Sequence, residues 1–125
     1  AAIGFCFGGG VALELARNGA EVNGVVTFHG SLRTSRPQDA KNIKGRVLVL
    51  HGADDPFVTP EHVAALEEEL RQAGVDWQLI KYSGAVHAFS NPAAGNDPSR
   101  GLAYNDKAAK RSWKAMQVFF EELFH

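Results

Sequence analysis

The sequence predicts an α/β protein: a three-layer α/β/α arrangement around a mainly parallel sheet of about four strands, with strand order following the chain. Two observations carry this. The runs GVVTF and RVLVL are short, β-branched and almost continuously apolar, as strands covered on both faces must be. Between such runs lie segments whose apolar residues recur at helical spacing, and the resulting order β-α-β-loop-β-α-β-α requires right-handed crossovers that put helices on both faces of a sheet.

The first strand is read at residues 2 to 6, ahead of Gly8-Gly9-Gly10, and Val11, Ala12, Leu15 and Ala16 then continue at helical spacing to a stop at Asn18-Gly19. Val22 to Phe28 is the second strand. SLRTSRPQDAKN is polar and contains Pro, so it reads as loop with at most a turn of helix. Arg46 to Leu50 is the third strand, and the acidic turn HGADDPFVTP follows it. Thr59 as N-cap and Pro60 at the first helical position start a second helix, which Gly74 ends. Its buried stripe is Val63, Leu66 and Leu70, and its outer face carries Glu67, Glu68, Glu69 and Arg71. Trp77 to Tyr82 alternates as a strand with one wetter face, a loop runs from Ser83 to about Asn105, and the last helix carries Ala109, Trp113, Met116, Phe120 and Leu123 on one stripe. The whole of 1–125 is read as a single domain.

Composition excludes several classes of function. Thirteen basic and fourteen acidic residues give a net charge of -1 with no block of either sign, so no nucleic-acid or anionic-lipid footprint is expected. No apolar stretch approaches the roughly 18 residues of a membrane span, and no membrane partner is expected. The single Cys forms no internal disulfide, which makes a reducing, cytoplasmic setting the default. The carboxylates and histidines fit no metal motif, and no cofactor is called for.

In a parallel sheet, ligands gather at the C-terminal ends of the strands. Cys6, His29, Asp54, Asp55 and His87 all fall just after a predicted strand. Cys6 has two readings: a small buried hydrophobe, or a nucleophile on a sharp strand-to-helix turn for which Gly4 and Gly8 leave steric room. On such a turn the N–H of Phe7 points at a developing oxyanion, and the helix start favours a thiolate. A thiol nucleophile needs a base and the base an orienter. His87 and an aspartate supply these in the chain order Cys, Asp, His. Taken singly, the aspartate is a turn residue before Pro56 and His87 a loop histidine; taken together at three strand ends, those readings explain less. Spacing does not choose between Asp54 and Asp55. His29 is a wall residue or second base, His51 packs, and His62 and His125 are solvated surface.

Three stretches resemble the dienelactone hydrolase family of α/β-hydrolases: IGFCFGG, HGADDPFV and GAVHAFSNP. RVLVLHG and AGVDWQL extend the resemblance over essentially the whole chain. It implies a partial α/β-hydrolase fold, corresponding to the family's C-terminal half, and a Cys6-His87-Asp55 triad that cleaves an ester or lactone through an acyl-thiol intermediate. It selects Asp55, directly before Pro-x-Val, over Asp54. Phe7 supplies an oxyanion N–H, and His29, Phe89 and Asn91 are the expected substrate-binding residues. Asn91 stands where family members that act on dienelactone carry an arginine, so the resemblance does not extend to dienelactone as the particular substrate. The family's first strands, its second oxyanion donor and an acidic partner of the thiol have no counterpart before Ala1, so impaired activity is expected of these residues alone.

Two other readings compete. One is a non-catalytic truncated half-domain that oligomerises, since the strand ending at Cys6 offers an apolar, uncharged edge; a homodimer of the isolated chain is expected on that ground. The other is a glutamine amidotransferase-like cysteine enzyme, which would carry a His-x-Glu pair near its C-terminus where this chain has VHAF.

Overall fold

A computed structural model describes residues 1–124. Four strands form one fully parallel sheet: β1 (Ala2–Phe5), β2 (Gly24–Phe28), β3 (Arg46–Gly52) and β4 (Trp77–Tyr82), in the order β1-β2-β3-β4. The helices are α1 (Phe7–Arg17), α2 (Pro60–Gln72) and α3 (Asp106–Leu123). The predicted architecture, strand order and element sequence are all present; β2 is shorter than the run from Val22, and the loop between β2 and β3 holds a 3-10 segment at Pro37–Asn42.

Alternation along the strands divides the core in two. Val25, Val47 and Val49 point to one face, where Leu13 and Ala16 of α1 and Val63, Leu66 and Leu70 of α2 cover them. Val26, Phe28, Leu48 and Leu50 point to the other, against Ala108, Met116 and Phe119 of α3. Burying one such aliphatic side chain contributes about 1.5–3 kcal/mol, so both layers hold the sheet.

Local chemistry sets the helix ends. Thr59 Oγ1 accepts the His62 N–H at 3.4 Å, and His62 Nδ1 accepts the Thr59 N–H at 3.2 Å. This reciprocal cap gives His62, expected only as solvated surface, a structural task. Asn105 caps α3 by accepting the Ala108 N–H at 3.0 Å.

Four sequence expectations are corrected. Helix α1 begins at Phe7, so Gly8, Gly9 and Gly10 lie inside its first turns, and its buried face is Ala12, Leu13, Ala16 and Arg17, with Val11 and Leu15 exposed. The buried stripe of α3 is Ala108, Ser112, Met116 and Phe119; Trp113 lies at its margin, tilted on Phe28 at 6.4 Å between ring centroids. Glu69 is not on a solvated face: it is buried and takes Arg17 bidentately, Nε to Oε2 at 2.6 Å and Nη2 to Oε1 at 2.9 Å. Glu14 receives a third bond from the same guanidinium. Apolar periodicity could not register this pair, because α1 and α2 bury the two charges only by meeting each other. The expectation for His125 lies outside the described residues.

Candidate active site

The parallel register aligns the C-terminal ends of the strands, with Phe5 opposite Phe28 and Phe28 opposite Leu50. Cys6 and His29, one residue beyond Phe5 and Phe28, are therefore neighbours on one rim. The Cys6 N–H donates to the Phe28 carbonyl at 3.1 Å and the His29 N–H to the Leu50 carbonyl at 2.8 Å.

Cys6 is the hinge between β1 and α1, with φ 54° and ψ -122°. That left-handed backbone is strained for a residue with a Cβ, by about 1–3 kcal/mol, and it persists because the sheet and helix fix both flanks. The approach of strand and helix also dictates small neighbours. A Cβ on Gly4 would run into the Gly8 carbonyl, and one on Gly9 would meet the Thr27 hydroxyl and the Gly30 backbone. The steric role expected of Gly8 belongs instead to Gly9, since a Cβ at Gly8 would meet nothing. Phe7 opens α1, and an N–H in the first turn of a helix has no acceptor within it, so this donor lies beside Cys6.

Asp55 and His87 meet across 32 residues of chain, His87 Nδ1 lying 2.9 Å from Asp55 Oδ2. Asp55, the aspartate that meets His87, is buried, while Asp54 beside it is exposed. The second oxygen of Asp55 accepts the N–H groups of Phe57 at 2.8 Å and Val58 at 3.3 Å, tying the carboxylate into its own turn. Burial acts to raise the Asp55 pKa, but the bonds from His87, Phe57 and Val58 outweigh it and hold the carboxyl below its ordinary value.

No hydrogen bond joins Cys6 to His87. Cys6 Sγ instead lies 3.2 Å from His29 Nδ1, and His29 Nε2 lies 2.7 Å from Ser90 Oγ. The expected arrangement with His87 between its partners is thus present on the aspartate side, while the thiol is engaged by a different histidine. The His29 and His87 rings are adjacent, 5.8 Å apart edge to face. Burial, and then the charge of His87, push the His29 pKa down to about 4, so its ring is neutral at neutral pH. The expected low-pKa thiol is also corrected: burial first, and then the negative charge of Asp55, push the Cys6 thiol up.

Phe89 is wholly buried, its ring 4.9 Å from His29 and 5.7 Å from Tyr82, which places it behind the site as support and out of reach of a ligand in this conformation. Asn91 is exposed and accepts the Ala93 N–H at 3.0 Å. His51 is buried, as a packing role requires, with Nδ1 unpartnered. Ser90 was invisible in the sequence as a site residue, because only the fold brings it to His29. Beside Ser90 opens an apolar cleft of about 420 Å³ lined by Phe5, Phe28, Ala109, Lys110 and Trp113. Among the described residues no three His, Cys, Asp or Glu side chains are grouped to hold a metal ion, and no helix is long and apolar enough to cross a membrane.

A strained cysteine between a parallel strand and its following helix, with an Asp-His pair on the same rim, defines a protein of the α/β-hydrolase fold. Comparison with known proteins narrows this: the dienelactone hydrolase family model matches residues 1–124, and the chain belongs to that family. It is 34% identical over 125 residues to the Caenorhabditis elegans protein K02A2.1, covering 98% of this chain and 79% of that protein. Among solved structures it superposes on m3DLH with 50% identity and a TM-score of 0.92, covering 99% of this chain and 52% of that one. A dienelactone hydrolase-like promiscuous phosphotriesterase from metagenomic libraries gives 49% identity and a TM-score of 0.90, again with 99% and 52% covered. The chain thus spans about half the length of these two structures.

Proposed function

We propose that these residues form the nucleophile-bearing half of a hydrolase that cleaves a carboxylic ester or lactone with Cys6, His87 and Asp55. The observation that carries the reading is the pairing of His87 Nδ1 with the buried Asp55, because it leaves Nε2 as the ring nitrogen able to take a proton. Cys6 turns from His29 to His87 and gives its proton to Nε2 as Sγ forms a bond to the carbonyl carbon. The oxyanion is held by the Phe7 N–H. Collapse of the tetrahedral intermediate breaks the ester C–O bond, the leaving oxygen takes the proton from His87, and an acyl-thiol remains. Water, deprotonated by His87, then cleaves the thioester and returns the thiol. Asp55 keeps the tautomer that each transfer needs and stabilises the imidazolium.

Family membership supports hydrolysis as the reaction type, and the strained backbone of Cys6 supports its role, since strain of this kind collects at functional positions. The test is turnover of p-nitrophenyl acetate by the chain, by Cys6→Ala and by His87→Ala. Loss of activity in both variants supports the triad. Equal activity in wild type and Cys6→Ala overturns it, in favour of the non-catalytic reading. A p-nitrophenyl phosphotriester belongs in the same assay, because the 49% identical structure is described as a promiscuous phosphotriesterase.

A further inference from the structure

Among the described residues, His29 is the one side chain in hydrogen-bond contact with the Cys6 sulfur, and the chemistry proposed above gives it no task. Its ring is held by Cys6 on Nδ1, by Ser90 on Nε2 and by the Phe89 ring against it edge to face at 4.9 Å, while its backbone N–H donates to the Leu50 carbonyl. It is 1% exposed and has φ 41°, a left-handed backbone unusual for a residue with a side chain. Loop packing alone does not call for two polar side chains converging on the two nitrogens of a buried ring.

A neutral imidazole has one N–H and one lone pair, so this chain of contacts has two forms. In one, Ser90 donates to Nε2 and Nδ1–H donates to sulfur, which favours the thiolate. In the other, the thiol donates S–H to Nδ1 and Nε2–H donates to Ser90 Oγ, which favours the thiol. The titratable groups facing His29 are Cys6, His87 and Asp55, and the buried Asp55 carboxylate at this rim opposes a second negative charge on sulfur. The second form is therefore the resting one.

We propose that His29 is a positioning residue that holds Cys6 as a protonated thiol apart from His87, with Ser90 fixing the tautomer that accepts the S–H. The nucleophile is stored in a weakly reactive state and is released to His87 when the sulfur leaves Nδ1. This rests on the reading of Cys6 and His87 given above, but its test does not require turnover.

The test is the pH dependence of Cys6 alkylation by iodoacetamide in the whole chain. His29→Phe keeps the ring volume, and with it the burial of the sulfur, while removing the S–H acceptor. A bond to the neutral form raises a pKa, so its removal lowers the apparent thiol pKa. One unit of such a fall raises the thiolate fraction below the pKa about tenfold and lowers its intrinsic nucleophilicity, for a net gain of roughly threefold in rate at pH 7. Ser90→Ala, which withdraws the partner of Nε2–H, is expected to shift the profile in the same direction, and His29→Asn, which restores an acceptor near the Nδ1 position, to return it toward wild type. An unchanged profile in His29→Phe, or slower alkylation with the pKa raised, overturns the proposal: the first makes His29 a packing residue, the second a stabiliser of the thiolate. Either result beside an intact, Cys6-dependent esterase activity rejects the storage role and leaves the triad standing, whereas loss of the triad reading is seen only in the turnover assay.

Discussion

Asp55 holds His87 by Nδ1 at 2.9 Å from the end of a different strand, and the same carboxylate is anchored by two backbone N–H groups of its own turn. The second anchoring makes the pair rigid: Asp55 cannot follow His87 if the loop after β4 moves, so the ring's orientation is set by β3. Asp55→Asn keeps an oxygen for the turn and loses the charge that fixes the tautomer. Ester turnover is expected to fall by roughly a thousandfold or more, with little change in the urea midpoint. Asp54→Asn, at an exposed position one residue away, is expected to leave turnover within about twofold; equal losses in the two variants would reject the assignment.

The neutral state of His29 makes the fold sensitive to acid. Its folded-state value near 4 lies below the ordinary 6.5, so between these limits the unfolded chain binds the proton and the folded chain does not. Stability is therefore complete above about pH 6.5 and is lost as pH falls toward 4, by up to roughly 3 kcal/mol from this group. The buried His51, also lowered, adds loss in the same direction, and Asp55 contributes further loss only below its ordinary 3.8. Urea midpoints measured from pH 7 to pH 4.5 should fall for wild type and fall less steeply for His29→Phe. Parallel curves would contradict the buried neutral ring.

The pair of Arg17 and Glu69 ties the last turn of α1 to α2. Removing one partner leaves the other charge buried, which costs about 3–5 kcal/mol, so Glu69→Ala is expected to destabilise far more than Glu68→Ala on the exposed face. Replacing both at once, Arg17→Met with Glu69→Leu, should recover most of the loss. A double variant as unstable as the single one would show that the pair contributes more than mutual neutralisation.

Among the described residues strand β1 has a neighbour on one side only, and Ile3 is 43% exposed, Phe5 45% and Phe7 83%. An uncharged apolar edge is a template for pairing. A chain of these 125 residues is expected to sediment as a dimer at micromolar concentration, and Ile3→Lys to shift it toward monomer. Wild-type monomer under the same conditions would contradict this.

The strands and the rim were legible because buried parallel strands leave continuous apolar runs and because ligands collect where such strands end. Cys6, Asp55 and His87 could be picked out as chemistry-bearing residues at three such ends. The contact between Cys6 and His29 was half legible: once β1 and β2 are paired in register, the residues following Phe5 and Phe28 must adjoin. What the residue pattern could not carry were side-chain contacts that exist only after folding. Ser90 reaches His29 across 61 residues, and Glu69 reaches Arg17 across 52. The phase of α3 was missed for a related reason: Trp113 and Ser112 exchange places because the helix turns its small polar residue, not its largest aromatic one, toward the sheet. Ser112 can be buried there since its hydroxyl donates to the Ala109 carbonyl at 3.0 Å.

The central claim is that Cys6 forms the covalent intermediate. The direct measurement is the mass of the intact chain, and of its Cys6-containing peptide, after brief mixing with p-nitrophenyl acetate and acid quench. The account predicts a single added acetyl group on that peptide, absent in Cys6→Ala and slower to form in His87→Ala. A chain that stays unmodified at Cys6, or whose acetyl group forms equally fast without His87, would contradict it.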